Sequence, residues 1–490
     1  MLFNSYAFIL AFLPVTVLVY FYLNKLRLPV ASTSWLVFSS LFFYSWWNIV
    51  YLPLILTSVL FNYTITQVMN SNAEKQNRFF SNKNLLYTGL LFNIGLLGYF
   101  KYMDFFISNL NWVAGAHLPL LKLTLPLAIS FFTLQQIAFL VDSYEGLIKE
   151  KSFLDYTVFV TFFPQLIAGP IVHHSEMMPQ FSRLRNKAIN YKNIADGLFL
   201  FSMGLFKKVV MADTFSIWAT AGFDHSVSLS FLEAWVTSLA YTFQLYFDFS
   251  GYSDMALGIA LLFNIKLPLN FNSPFKKTGM IDFWKNWHMT LTNFITTYIY
   301  TPINRSYKRL NFHKAMLATL LTFLIAGLWH GASWMFVIFG ALHGAGVVTN
   351  HYWKKTKIKI NRYLAWFITF NFINFTFVFF RALDWPDALK VLRGMAGSNG
   401  FILPDWLVLH LGFLSNYGME FKPLMDSIKF SGLIFIYILM GFILTLFFRN
   451  AMEIVNQQQR GFKTVLFSSF LTFIGILSLN HPSEFLYFNF

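Results

Sequence analysis

The chain has 490 residues, of which 56% are hydrophobic, 20% aromatic and only 12% charged, whereas soluble domains carry about 25% charged residues. These values exclude a soluble globular protein and predict a polytopic membrane protein whose first partner is the lipid bilayer. The net charge of +15 does not indicate a nucleic-acid partner, because the basic residues lie in short loops between apolar runs, as the positive-inside rule requires. The absence of cysteine excludes disulfides, thiolate metal sites and cysteine nucleophiles.

Apolar runs separated by basic loops predict the first membrane spans. The first run lacks a basic flank and a cleavage site, so it is interpreted as a retained span rather than a signal peptide. The loops after the first, third and fifth spans carry the lysines and arginines, which places the N-terminus outside and these loops in the cytoplasm. The five predicted spans are at about residues 7–23, 33–47, 50–69, 85–102 and 119–141.

Residues 153–172 are apolar, but Pro164, Gly169 and Pro170 interrupt the run and the next segment is again basic. A re-entrant or broken helix that returns to the cytoplasmic side reconciles the two observations. Non-helical backbone at membrane depth is tolerated only where protein or a water-filled cavity covers it. The segment is therefore the first indication of a central cavity.

Two long apolar runs follow, at about residues 193–220 and 228–263. The second contains Gln244, Asp248 and Tyr252, whose four-residue spacing places them on one face of a helix. Polar side chains in an apolar segment are expected to face the interior of the bundle. They form either a buried polar clamp between helices or part of a site, and the sequence leaves both readings open.

The rest of the chain completes a single all-α membrane domain over residues 1–490, with about 10–12 transmembrane or re-entrant helices around a central tunnel. A polar cytoplasmic stretch precedes an interfacial helix at 282–288. Residues 316–352 are expected to form a helical hairpin that contains His330 and His343. Charges at the last loops place the C-terminus outside. The remaining predicted segments are a span at 363–380, an amphipathic irregular stretch at 381–429, and spans at 430–448 and 464–479.

His330 is the most conspicuous residue of the hairpin. It lies in the segment LWHGASW (328–334), and no charged residue occurs between Lys314 and Lys354. A histidine at that depth is costly unless it is paired or takes part in chemistry, and a hydrogen-bonded structural role is the more common reading. A second Trp-His pair occurs at Trp287-His288. The sequence has no P-loop, dinucleotide fingerprint, G-x-S-x-G elbow or metal-type spacing. A buried neutral imidazole can still take the proton from a hydroxyl that attacks an activated acyl group.

These segments together resemble the membrane-bound O-acyltransferase (MBOAT) family, in its bacterial branch similar to the alginate O-acetylation membrane protein. The likeness extends over nearly the whole chain, with its motifs concentrated in a core at about residues 120–350. The order of the motifs is more specific than any one of them. They are LPLAISFFT (125–133) with Gln135 and Gln136, FPQLIAGPI (163–171), YFDFSGYSDMA (246–256), NFNSP (270–274), FWKNWHMTL (283–291) and GLWHGA (327–332).

The resemblance implies roles for these residues. His330 falls on the family's central membrane histidine and is the expected general base, and His288 is the second catalytic candidate. In the family the two line a tunnel that an acyl donor enters from the cytoplasm and an acceptor from the opposite face. The resemblance implies acetyl-CoA as the donor substrate. No bound cofactor is expected, and no metal, since the sequence lacks metal-type spacing. The tunnel-lining candidates are Gln244, Asp248, Tyr252, Asn286, Trp287 and Trp329.

The chain departs from the family pattern after the second Trp-His segment. Where relatives carry an Arg-Asp pair and then a Pro-Leu-Gly-Gly run, this sequence has Thr296-Thr297 and the segment TPIN (301–304). The departure affects the expected donor contacts and partner, and it touches neither histidine.

The C-terminal aromatic tail, residues 480–490, contains Tyr487 within the segment FLYFNF (485–490). One interpretation is an interfacial anchor, for which tyrosine and phenylalanine are suited. The other is a role for Tyr487 in acyl transfer. The tail is similar to a tyrosine-containing C-terminal motif in a small partner of the teichoic acid D-alanylation system. That similarity makes Tyr487 a candidate acyl relay between His330 and an extracytoplasmic esterase-like transferase.

The sequence thus predicts a multi-pass acyltransferase of the bacterial cytoplasmic (inner) membrane, with both termini outside. It would move acetyl groups from a cytoplasmic donor across the membrane for O-acetylation of an exported polysaccharide, alginate or another. Three alternatives remain. They are D-alanyl transfer to teichoic acid on the same fold, a transporter of polysaccharide or lipid-linked sugar without acyl chemistry, and a structural subunit of an export complex with a relic site.

Overall fold

The protein is described by a computed structural model that covers residues 1–75, 81–148, 150–422, 433–457, 461–480 and 486. Within these ranges nearly all regular structure is helical, and the one pair of strands is short. Strand β1 (Phe401–Pro404) pairs in parallel with β2 (Met419–Lys422), with Phe401 opposite Met419. The all-α class of a polytopic membrane protein is therefore confirmed.

The chain divides into two compact units. The first contains residues Met1–Gly204, Tyr252–Asn270 and Gln458–Thr472, and the second contains Leu205–Gly251, Phe271–Gln457 and Phe473–Phe490.

The α-helices are numbered in chain order over the described residues. The first ten are α1 (Leu13–Lys25), α2 (Pro29–Ser45), α3 (Leu52–Lys75), α4 (Asn82–Leu97), α5 (Met103–Ala114), α6 (Ile129–Tyr144), α7 (Phe153–Thr161), α8 (Phe163–Leu166), α9 (His174–Ser182) and α10 (Tyr191–Phe206). The following helices are α11 (Asp213–Thr220), α12 (Phe231–Leu262), α13 (Met280–Trp284), α14 (Met289–Ile295), α15 (Thr301–Ser306), α16 (Phe312–His330), α17 (Trp334–Thr356), α18 (Arg362–Arg381) and α19 (Trp385–Met395). The last are α20 (Val408–Leu411), α21 (Leu433–Leu446), α22 (Ala451–Gln457) and α23 (Phe462–Leu477).

Fewer helices combine the length and the apolar composition of a membrane span than the sequence predicts. Among the described residues, 5 helical stretches are long and apolar enough to cross a bilayer, and a sixth results if α21 and α22, bent by 49°, form one span. Other apolar runs, such as α2 and α23, form shorter helices. The five stretches are Phe8–Lys25, Ile49–Asn72, Asn82–Ala114, Phe312–His330 and Arg362–Arg381.

The predicted span at 119–141 is wrong in its first half. Helical structure continues from α4 through a π-helical turn (Gly98–Tyr102) to the end of α5, and it stops at Gly115, whose φ is +62°. Residues 115–126 are not helical, and α6 begins only at Ile129. Pro119 and Pro126 explain the difference, because proline disfavours helical backbone at the preceding residue. An apolar loop was therefore mistaken for the first half of a span.

The broken helix predicted at 153–172 is confirmed. Helix α7 ends at Thr161, Phe162 turns the backbone with φ −49° and ψ 108°, and α8 lasts only 4 residues. The freed backbone groups find partners, as buried polar groups must. The Phe163 N–H donates to Ser40 Oγ at 3.1 Å, and the Gln165 side-chain amide donates to the Phe159 carbonyl at 2.7 Å.

The predicted interfacial helix at 282–288 is also wrong. Its aromatic side chains are buried inside the second unit, with Phe283 0%, Trp284 6% and Trp287 4% exposed. Helix α13 ends at Trp284, and a turn leads to α14. Aromatic residues interleaved with charged ones suit a membrane interface, but here the rings pack on other rings of the same unit, which the local pattern does not show.

Helices α16 and α17 form the predicted hairpin and pack closely along two glycines. A Cβ atom added to Gly327 would lie 2.4 Å from the Phe336 carbonyl oxygen and 2.8 Å from Gly340 Cα. Small residues at such a crossing let two helix backbones approach within the membrane. The hairpin therefore depends on the absence of a side chain at Gly327 and Gly340.

His343 of α17 is fully engaged in hydrogen bonds. Its Nδ1 accepts from the Trp284 indole N–H at 3.1 Å, and its Nε2 lies 2.8 Å from Thr376 Oγ1. Since the Thr376 hydroxyl donates to the Ile373 carbonyl, Nε2 carries the proton and donates to Thr376. Every hydrogen-bonding position of a neutral imidazole is thus used. His343 ties α13 and α18 to α17 and is a structural histidine.

We expect Gly327→Ala to destabilise the hairpin by about 1–3 kcal/mol, because the methyl group must push α17 away. Thermal unfolding in lipid nanodiscs would measure the loss. Gly95→Ala in α4 is the matched control, since a Cβ there meets nothing within 4 Å, and it should be neutral or slightly stabilising. Equal melting temperatures for the two variants would contradict the close packing at Gly327.

We expect His343→Leu to lower stability by about 1–3 kcal/mol, because the Trp284 indole N–H loses its acceptor and the Thr376 oxygen loses a donor in the interior. The same unfolding measurement applies. His313→Ala serves as the control, since His313 bonds only at the exposed end of α16, to the Tyr352 hydroxyl at 2.8 Å. A His343→Leu protein as stable as the control would contradict the structural role.

Candidate active site

His330 is the last residue of α16 and is 4% exposed. The helix ends there because Gly331 is extended, with φ −165° and ψ 154°. A Cβ on Gly331 would lie 2.0 Å from the Phe336 ring, so only glycine allows the chain to turn against that ring. The packing of Gly331 against Phe336 therefore fixes the end of α16 and, with it, the position of the His330 imidazole.

His288 lies in the turn between α13 and α14 and is 0% exposed. Its backbone is left-handed, with φ 42° and ψ 52°, which costs a non-glycine residue about 1–3 kcal/mol and is frequent at functional sites. The turn is held locally. The His288 carbonyl accepts the Thr292 N–H at 3.0 Å, and the Thr292 hydroxyl donates to the Trp284 carbonyl at 3.2 Å.

The structure brings the two histidines together inside the second unit. Their ring centres are 6.5 Å apart, and the Trp329 ring lies 6.3 Å from His288 and 5.0 Å from His330. Phenylalanine rings complete the surroundings. Phe249 lies 4.7 Å from His288, while Phe380 and Phe339 lie 5.2 and 6.0 Å from His330. Two residues 42 positions apart in the sequence thus share one aromatic enclosure.

The separation of the rings limits what they can do. Since a ring nitrogen lies about 1.1 Å from the ring centre, the closest nitrogens of the two imidazoles are at least about 4 Å apart, beyond a direct hydrogen bond. A small polar group between the rings would reach both. Such an enclosure can orient an attacking hydroxyl, accept its proton and exclude water from an activated acyl group.

Two of the tunnel-lining candidates, Gln244 and Asp248, lie on one face of α12 in the second unit and are buried. Asp248 is held by an ion pair, with Lys208 Nζ 2.7 Å from its Oδ1. Tyr252 follows on the same helical face but belongs to the first unit, where its ring stacks on Phe3 at 4.7 Å. For Asp248, the contacts favour the reading as a polar clamp.

The other three candidates differ in their surroundings. Asn286 is half-buried and donates to the Asp282 carbonyl at 2.7 Å. Trp287 stacks on Phe283 at 5.5 Å, within an aromatic cluster of the second unit. Of the three, Trp329 is the one beside both imidazoles. A tunnel along these residues stays a prediction.

Two further features of the sequence are the C-terminal Tyr487 and the threonine pair Thr296-Thr297. Tyr487 lies outside the described residues. The two threonines that replace the family's Arg-Asp pair begin a π-helical turn (Thr296–Tyr300), where the Thr296 hydroxyl donates to the Thr292 carbonyl at 2.6 Å. The hydroxyl is thus used by the helix backbone.

Sequence reasoning missed the partner of Asp248. Lys208 and Asp213 interrupt an apolar run, and a lysine in such a run should have indicated a buried ion pair. In the part of the chain that the structure describes, there is no group of three or more His, Asp or Glu side chains that could hold a metal ion.

Comparison with known proteins identifies the fold family. A family model described as MBOAT, membrane-bound O-acyltransferase family, matches residues 17–383. The chain is 44% identical to a peptidoglycan O-acetyltransferase of Helicobacter pylori, over 100% of this chain and 98% of that protein. It is 32% identical to the probable alginate O-acetylase AlgI of Azotobacter vinelandii, over 83% and 80% of the two chains. A teichoic acid D-alanyltransferase of Streptococcus thermophilus is 27% identical, over 52% and 68%. The chain therefore belongs to the membrane-bound O-acyltransferase family.

Proposed function

We propose that the protein moves acetyl groups from a cytoplasmic donor across the membrane and that they are then transferred to hydroxyl groups of an exported glycan. The observation that carries the proposal is the pairing of His288 and His330 within 6.5 Å in a buried aromatic enclosure. Both residues lie within the part of the chain that matches the family. The 44%-identical relative named for peptidoglycan makes peptidoglycan the first glycan to test, ahead of alginate.

The proposed chemistry is a single acyl transfer from the thioester of acetyl-CoA. An acceptor hydroxyl attacks the carbonyl carbon, a C–O bond forms and the C–S bond breaks. His330 takes the hydroxyl proton and returns it to the departing thiolate. Such a general base contributes about 10²–10⁴-fold to a rate. His288 supplies a second imidazole across the enclosure, placed to orient the acceptor or the carbonyl group.

Tyr487 is proposed as the acceptor hydroxyl. The residue before it, Leu486, bonds through its backbone N–H to buried Asp248 of the same unit, which supports an inward position for this part of the tail. An acyl group on Tyr487 would then pass to an extracytoplasmic esterase-like transferase. This arrangement requires the C-terminus to face outside and the enzyme to lie in the cytoplasmic membrane of a bacterium.

We expect His330→Ala to reduce base-released acetate from the cell envelope and secreted glycan by about 10²-fold or more, since the general base is lost. Protein levels in the membrane must be matched. His313→Ala, at the exposed end of the same helix, is the control and should retain acetylation. Unchanged acetate in His330→Ala would refute the enzymatic role. Loss of the glycan itself from the cell surface would favour a transporter instead.

We expect Tyr487→Phe to abolish acetate transfer while the protein stays in the membrane, because the ring remains and only the hydroxyl nucleophile is lost. Phe488→Ala separates relay from anchor, since it removes a ring and keeps the hydroxyl. If the tail is only an interfacial anchor, Phe488→Ala should impair acetate transfer more than Tyr487→Phe does. Intact-mass measurement in the presence of acetyl-CoA should also show a single acetyl adduct that Tyr487→Phe lacks.

A further inference from the structure

A cluster of three charged residues, two of them buried, lies in the second unit. Lys208 Nζ is 2.6 Å from Asp213 Oδ1 and 2.7 Å from Asp248 Oδ1. The side chains of Lys208 and Asp248 are only 3% and 1% exposed. Lys208 belongs to a π-helical turn (Lys207–Ala212), and Asp213 is the first residue of α11. We call these three residues the Lys208 cluster.

The Lys208 cluster carries one positive and two negative formal charges. Lys208 occupies one oxygen of Asp248, and burial of a carboxylate is costly unless its remaining oxygen also has a hydrogen bond. That second oxygen, Oδ2, accepts the backbone N–H of Leu486 at 3.1 Å. A hydrogen bond to an ionised acceptor is stronger than one between neutral groups. The C-terminal tail thus supplies a donor to a buried ion cluster.

The end of α23 and the turn after it also contact the residues around Lys208. A Cβ on Gly475 would lie 2.9 Å from Leu205 Cδ2, so the end of α23 passes close to the residues that precede Lys208. A 3₁₀ turn (Ser478–Asn480) then packs against the π-helical turn that contains Lys208. Leu486 is the next residue that the structure describes, and it contacts Asp248. Three separate contacts therefore join the C-terminal part of the chain to the surroundings of Lys208 and Asp248.

We propose that the Lys208 cluster is the docking site of the chain's own C-terminal segment, and that Asp248 is a positioning residue that fixes its register. Contacts between aromatic side chains are weakly directional, so by themselves they would allow a bound segment to slide. A hydrogen bond from one backbone N–H to one carboxylate oxygen is directional and selects a single register, as buried polar groups do in other helical assemblies.

The C-terminal segment could dock at the Lys208 cluster whether or not the protein transfers acyl groups. Its consequence for acyl transfer rests on the proposed function. Since Tyr487 follows Leu486 in the chain, anchoring Leu486 restricts where the next hydroxyl can reach. Asp248 would then act on the reaction through the tail, without touching the reacting atoms.

Hydrogen exchange of the full-length protein in nanodiscs tests the docking. We expect the C-terminal peptide to exchange about tenfold faster in Asp248→Asn, because asparagine replaces one of the two accepting oxygens with an NH2 group, which cannot accept from Lys208 or from Leu486. Asp254→Asn, a carboxylate on the same helix but in the first unit, is the control. A native tail that exchanges as fast as a free peptide, or a tail unaffected by Asp248→Asn, would overturn the proposal.

A second pair of variants leaves the cluster intact. Leu486→Pro removes the N–H donor, whereas Leu486→Ala keeps it, so the other tail amides should lose protection only in the proline variant. If Asp248→Asn also increases exchange in α16 and α17, that substitution has destabilised the whole unit. The two Leu486 variants then test the docking, because they leave Asp248 unchanged. Equal protection in the two variants would overturn the docking.

Acetate release separates the docking from the proposed function. Docking with function predicts about tenfold less ester acetate in Leu486→Pro than in Leu486→Ala, with His330→Ala losing acetate but keeping a protected tail. A protected tail in a protein that releases no acetate under any condition would support docking and refute the acetyltransferase. Full acetate in Leu486→Pro together with an unprotected tail would refute the positioning role of Asp248.

Discussion

Lys208 lies between two carboxylates, and only 3% of its side chain is exposed. It illustrates a physical constraint on the interior of this protein. Away from water, each buried charge or hydrogen-bonding group needs a partner within the protein. The broken segment after α7 meets this demand through the Ser40 hydroxyl. His343 meets it with an indole and a threonine. In both cases an interior polar group is paired with a group from another element of the fold.

Three buried histidines of the second unit differ in their surroundings. His343 uses all its hydrogen-bonding positions on Trp284 and Thr376, so it has no position left for a substrate. His288 and His330 lie among aromatic rings, with their ring centres 6.5 Å apart. Two costs are consistent with a site at this place. They are the left-handed backbone of His288 and the burial of two imidazoles at a helix end and in a turn.

Close backbone approach sets the position of this enclosure. Gly327 and Gly340 let α16 and α17 pack without an intervening side chain, and Gly331 lets the chain turn against Phe336. A methyl group at any of these positions would collide with a neighbouring backbone or ring and move the end of α16. The two histidines are thus positioned by residues that carry no chemistry of their own.

The sequence by itself determined the membrane class, the break at Pro164–Pro170, the hairpin and, through resemblance, both histidines. These follow from composition, from local backbone preference and from short motifs, each of which is readable within a few residues. Only the tertiary structure decided that residues 115–126 are not helical, that Trp284 is buried, and that Lys208 and Leu486 both meet Asp248. Local hydropathy cannot distinguish an apolar loop from a span. It also cannot show which distant group satisfies a buried charge, because that partner is 40 residues away for Lys208 and 238 for Leu486.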